Sequence, residues 1–410
     1  MTISRSLTLA SLAALSLPAF AADGEQPAEK VSVGGFAIEP MGHITSPDNA
    51  FSVHPKALVG VAYNTNVYAT ETNTKGDVFY SLVAGLDLGW RATPEDKFGL
   101  SGEYVGQAYQ DQSGRNLQGG RGIFRYSHVA QVWDANAMAL FARTNDPFVS
   151  TGEQIKHDDI DAAVNVSRTM NRAQVTVGGI YSQRNYLEAS RTFGEDDRDY
   201  SLVGGNLRTG YQYAEDSEVY VRGFADRRDY VENVFNDSTG YGGLIGVKKK
   251  IATRSMVIAE IGATYRAYKD NFARNPAYDD KTIIAPVGNL IYRWNIEPYS
   301  WIGARAYSTL EESVTSNSAW LVGAVVDGRM RLKEQAALYG NAGAYRLTAS
   351  GHAAGVEAEV RTTEEITVGV EYILHRGVGL RLQNVYTVSQ SNTLNDFSRD
   401  IIGLDLGFVY

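Results

Sequence analysis

Arginine is the side chain best placed to do chemistry in this sequence. Arg125, Arg143, Arg184, Arg208, Arg222, Arg228, Arg266, Arg293, Arg305, Arg329, Arg331 and Arg381 are assigned to the polar parity of runs that alternate apolar and polar residues. The carboxylates Asp87, Glu103, Asp161, Asp226, Glu260, Asp327, Glu365, Glu371 and Asp405 are assigned to the same parity. Guanidinium charge fixed around a narrow aqueous passage favours anions. The same groups, paired with carboxylates on neighbouring strands, would instead cancel and fill the interior. Either reading needs one shared face, slightly basic although the whole chain carries a net charge of −9. The excess acid is then expected in long loops, at Asp158, Asp159, Glu195, Asp196, Asp197 and Asp199.

Other chemistries find less support. His43, His54, His157, His352 and His375 fall in the tail, loops and turns on this reading, and His128 sits on a strand at apolar parity. No His–Ser or His–Asp spacing suggests a nucleophile within hydrogen-bond reach of its base. His157-Asp158-Asp159 has metal-ligand residue types, but it reads more simply as a solvated loop. The chain has 0 Cys, which removes disulfides, thiolate-bound zinc, a thiol nucleophile and a lipidated N-terminal cysteine. No catalytic residue, cofactor or metal is assigned. An acidic chain is a poor candidate for general nucleic-acid binding.

The elements that must carry the arginines have period 2. Val78, Tyr80, Leu82, Ala84, Leu86, Leu88 and Trp90 alternate with Phe79, Ser81, Val83, Gly85, Asp87 and Gly89. Ile366, Val368, Val370, Tyr372 and Leu374 alternate in the same way. The runs last roughly 10–14 residues, longer than most strands of soluble sandwiches and long enough to cross a bilayer at a tilt. About 18 such runs are found, with 16 as the alternative, which predicts an all-β, transmembrane, antiparallel up-and-down barrel. They start near Lys56, Asp77, Lys97, Gly120, Ala137, Ile160, Ala173, Arg198, Glu218, Gly240, Ser255, Thr282, Ser300, Ala319, Ala336, Thr363, Val378 and Arg399. Short turns alternate with long loops, as in outer-membrane barrels. Pro286 inside a run predicts a bulge, since it cannot donate to the ladder. Tyr80, Trp90, Tyr104, Trp133, Tyr211, Tyr292 and Trp294 fit interfacial girdles.

The chain ends set the compartment. Arg5, the apolar run Leu7 to Phe20 and Ala19-Phe20-Ala21 read as a signal peptide over residues 1–21. Residues 22–55 form an extension, read as a periplasmic tail in preference to a segment tucked into the lumen. Residues 56–410 form the barrel. At the far end, Ile402, Leu404, Leu406, Phe408 and Tyr410 close an alternating strand on an aromatic residue. This resembles the C-terminal signal by which bacterial barrels are recognised for outer-membrane assembly, and it implies the barrel-assembly machinery and outer-membrane lipid as partners.

Three short motifs carry a family resemblance: Tyr63-Asn64-Thr65-Asn66-Val67, then Gly76-Asp77-Val78, then Thr93-Pro94-Glu95-Asp96. With the layout of residues 50–410, they resemble the putative beta-barrel porin 2 family. The resemblance implies an outer-membrane channel, and it transfers no catalytic residues. Some members are associated with exopolysaccharide production and export. Three functions therefore stand: passive diffusion of small hydrophilic solutes, anions among them; a conduit for exopolysaccharide; and a closed barrel with a structural or surface-interaction role.

Overall fold

The computed structural model describes residues 31–33, 36–38, 40–41, 44–46, 48, 50–144, 155–189, 196–232, 235–270, 281–297, 299–311, 316–349, 359–392 and 396–410. The expected signal peptide, His43, His352, Glu195 and most of the 147–159 loop lie outside the described residues.

Three short strands come first: β1 (Val31–Val33), β2 (Phe36–Ile38) and β3 (Ile44–Thr45). Then follow β4 (Phe51–Asn64), β5 (Asp77–Arg91), β6 (Asp96–Tyr109), β7 (Leu117–Val129), β8 (Trp133–Thr144) and β9 (His157–Met170). Next are β10 (Ala173–Tyr186), β11 (Tyr200–Ala214), β12 (Ser217–Tyr230), β13 (Ser238–Ala252), β14 (Ser255–Tyr268) and β15 (Thr282–Glu297). The last six are β16 (Ser300–Glu311), β17 (Ala319–Lys333), β18 (Ala336–Ala349), β19 (Val360–His375), β20 (Val378–Ser391) and β21 (Phe397–Val409). Each strand from β4 to β21 pairs antiparallel with the next, and β21 closes on β4, giving a barrel of 18 strands. Closure leaves no long edge to template aggregation. β3 adds two pairings to the start of β4.

Turn chemistry fixes the short end. Two residues, Asn171 and Arg172, join β9 to β10, and Asn171 takes a left-handed φ of 58°. Arg376 and Gly377 join β19 to β20, with Gly377 at φ 79°. Both chain ends of the barrel lie at this short-turn end.

Two local expectations are corrected. The first barrel strand begins at Phe51, not near Lys56, because Pro55 does not interrupt it. Pro55 stands opposite Leu86 in the ladder, and its carbonyl accepts the Tyr410 N–H at 3.0 Å. Pro286 needs no bulge: it pairs in register with Ala263 of β14, while the β15–β16 ladder begins only at Gly288. The missing N–H therefore costs no ladder bond on the β16 side.

Exposure separates the two faces. On β14, Ile261 is 74% exposed while its neighbour Glu260 is 9% exposed. On β15, Ile284 is 75% exposed and Ala285 is buried. Isoleucine left this bare is explained by lipid as the solvent of the outer face. Tyr80, Trp90, Tyr104, Trp133, Tyr211 and Trp294 are all exposed on that face, and Tyr292 shares the parity of Trp294. Near the short-turn end Trp90 stacks on Phe98 at 5.1 Å, and Phe98 meets Tyr126 at 4.9 Å between ring centroids.

Part of the N-terminal extension packs against the barrel wall. Phe36 and Ile38 pack on Leu58, Val83 and Val409, flanked by Val105 and Ile373. All five barrel residues sit on the inner parity of their strands.

Candidate functional site

The inner wall is organised by contacts that skip a strand. Next-nearest strands lie about 10 Å apart, so a side chain on the strand between them normally keeps their residues separate. Glycine on the middle strand removes that obstacle. Asp226, Gly240 and Arg266 stand abreast on β12, β13 and β14, and Arg266 Nη2 reaches Asp226 Oδ1 at 2.5 Å. Tyr220, Gly246 and Glu260 repeat the arrangement, with the Tyr220 hydroxyl donating to Glu260 at 2.9 Å. Lys56, Gly85 and Glu103 do so on β4, β5 and β6, with the ammonium 2.7 Å from the carboxylate. On β18, β19 and β20, Tyr339 reaches over Gly369 to Gln383 at 3.1 Å.

Several inner arginines are held by a carboxylate. Arg184 binds Asp159 at 2.7 Å, and Arg208 binds Glu218 at 2.6 Å with its guanidinium 3.9 Å from the Tyr220 ring. Arg222 meets Glu260 at 3.2 Å. Arg329 reaches Glu371 at 3.0 Å, and Arg381 binds Asp405 at 2.8 Å. Lys56 holds both Asp87, at 2.8 Å, and Glu103, which Arg121 also binds at 2.5 Å. These pairs are largely buried.

Three arginines differ. Arg305 donates to Asn289 at 3.0 Å, and Arg293 donates to Asn295 at 3.3 Å while lying 4.2 Å from the Trp301 ring. Arg125 lies on the inner parity of β7 and is exposed. Among the described residues, none of these three is in an ion pair. Asp327 stands across Gly303 from Arg293 without an ion-pair contact, and Asp161 also faces inward. Arg228 sits 4.7 Å from the Tyr200 ring, and Arg331 donates to the Lys333 carbonyl at 3.4 Å. Glu365 is on the inner parity of β19, where it accepts from Thr387 at 3.4 Å.

Arg143 is a correction. Leu140 and Ala142 are buried on β8, so Phe141 and Arg143 take the outer face. There Arg143 grips Asp158 through Nε and Nη2, both at 2.7 Å. β8 carries apolar side chains on both parities (Met138 and Leu140 against Ala139 and Phe141), so alternation alone does not orient it.

The histidine and loop-acid assignments also change. His54, His157 and His375 belong to strands, as His128 does. Asp158 and Asp159 lie in β9, not in a loop, and point to opposite faces: Asp158 to Arg143 outside, Asp159 to Arg184 inside. His157 donates from Nδ1 to the Ile155 carbonyl at 2.8 Å, and its Nε2 is 3.4 Å from Asp159. The triplet therefore does not converge on a point.

Sequence reading missed Lys56, Arg121, Asp159 and Glu218 as members of the wall. Arg361 and Arg399 are buried on the inner parities of β19 and β21 and were missed as well. Of these only Lys56 stands abreast of an inner-parity glycine, Gly85, and the register that sets it there is not written in the alternation.

A family model described as Putative beta-barrel porin 2 matches residues 47–409. No curated protein matches. Among solved structures the chain is similar to OpdL of Pseudomonas aeruginosa, at 9% identity, over 88% of this chain and 98% of that one, with a TM-score of 0.44. It is also similar to OccK2 (OpdF) of that organism, solved with glucuronate, at 8% identity over 87% and 98%, with a TM-score of 0.45. Likeness at this level adds nothing to the fold already described.

Proposed function

The chain belongs to the putative beta-barrel porin 2 family, and from that premise we propose that it is an outer-membrane channel for passive diffusion of small hydrophilic solutes, with a mild preference for anions. One observation supports the preference. Arg125, Arg293 and Arg305 face the interior without forming an ion pair among the described residues, whereas several of the other inner arginines do form one. Paired charges cancel beyond a few ångströms, so guanidinium groups outside ion pairs, these three and Arg331 among them, dominate the field in the bore. Asp161 and Asp327 offset them in part, which keeps the preference mild. The outer face of exposed Ile, Leu and Val supports insertion in lipid. Residues 1–21 would direct export and be removed. The terminal strand from Ile402 to Tyr410 would be the segment that the assembly machinery reads.

The test is conductance. Purified protein reconstituted in planar bilayers should give steady current steps. A silent bilayer would overturn the channel reading and favour the closed structural barrel.

A further inference from the structure

The channel reading leaves the N-terminal hairpin without a role. Resting on that reading, we propose that β1 and β2 are a resident constriction, seated inside the bore at the short-turn mouth. Phe36 and Ile38 are each 0% exposed. Their seat is the apolar patch of Leu58, Val83, Val105, Ile373 and Val409, spread over β4, β5, β6, β19 and β21. A water-filled mouth would leave that patch wet, and the hairpin removes it from water.

The wall is shaped for the insert. A Cβ at Gly379 would come within 2.5 Å of the Phe36 ring, and a Cβ at Gly377 would meet the Met41 side chain. The segment leaving the hairpin is tied at two points. Met41 N–H donates to the Val409 carbonyl at 3.1 Å, and Arg376 Nε donates to the Pro40 carbonyl at 2.7 Å. The Arg381 guanidinium lies 5.6 Å from the Phe36 ring, so the insert also covers the Arg381–Asp405 pair on the side facing the bore. Because Leu58 is on β4 and Val409 on β21, the hairpin straddles the seam where the barrel closes. It could therefore be a staple for that seam with no effect on flow, and the experiment must separate the two.

Two variants are compared with the full mature chain: deletion of residues 22–41, and Phe36→Asp with Ile38→Asp. Single-channel conductance is read together with the temperature at which migration on a gel becomes that of the unfolded chain. A two-stranded insert is about 10 Å across, so its release should raise conductance by tens of per cent to about twofold. A silent parent with conducting variants would overturn the constriction together with the passive-channel reading, because the hairpin would then close the bore completely. Unchanged conductance with a lowered transition temperature would make the hairpin a staple only, overturning the proposal and leaving the channel reading intact. Silence from all three proteins would overturn both. If neither variant assembles, Met41→Cys keeps the hairpin seated and supplies a lone thiol in a chain with 0 Cys. A bulky charged thiol reagent should then reduce the current, and no reduction would overturn the proposal.

Discussion

Asp226 and Arg266 form a 2.5 Å ion pair although an entire strand, β13, runs between theirs. Gly240 makes this contact feasible: a Cβ there would come within 2.8 Å of Arg266 and 2.9 Å of Asp226. Alanine should be tolerated, because both neighbours are the flexible ends of side chains. Gly240→Val should separate the pair and destabilise the barrel by about 1–3 kcal/mol, the usual cost of overpacking. Denaturant unfolding in lipid vesicles measures it. Equal stability of the valine variant and the parent would contradict the role given to Gly240.

The Arg381–Asp405 pair is the most enclosed of those that join adjacent strands, with side chains 6% and 10% exposed. Asp405→Asn takes the carboxylate away from a buried guanidinium and should cost about 3–5 kcal/mol. Arg381→Met combined with Asp405→Leu should recover most of that, because a buried pair replaced as a whole is often close to neutral. If the double variant is as unstable as the single one, the loss lies in packing and not in charge.

The strands were legible because one face meets lipid and the other does not, which writes period 2 into almost every run. The contacts between strands were not legible. Alternation locates a residue on a face but carries no register, so nothing along β12 announces that Asp226 will meet Arg266. Arg143 shows a second limit: where both parities are apolar, as around Leu140 and Phe141, the pattern loses its phase. The hairpin was hidden for a third reason. Phe36 and Ile38 are too few to show a period, and their burial depends on a patch built from five distant strands.

Assembly should depend on the terminal strand. Phe408 and Tyr410 are exposed on the outer face at the short-turn end, 37% and 51% respectively. Lysine near an interface costs only about 0–1 kcal/mol, so Phe408→Lys and Tyr410→Lys should be almost as stable as the parent once folded. Their outer-membrane levels in cells should nevertheless fall, because recognition is lost. Parental levels of both variants would rule out a signal role for these residues.

The unpaired arginines can be told from the paired ones. Replacing Arg125, Arg293 and Arg305 together by Gln should move the reversal potential toward cations. Replacing Arg329 and Glu371 together by Gln removes one charge of each sign and should leave it unmoved. A shift of equal size in both variants would show that pairing does not determine which charges the permeating ions feel.

The most direct measurement is the reversal potential of the unmodified protein in a planar bilayer under a potassium chloride gradient. The account predicts a modest anion preference that weakens as salt is raised, since the screening length is about 10 Å at 0.1 M and shortens as salt rises. A cation preference at low salt would contradict it.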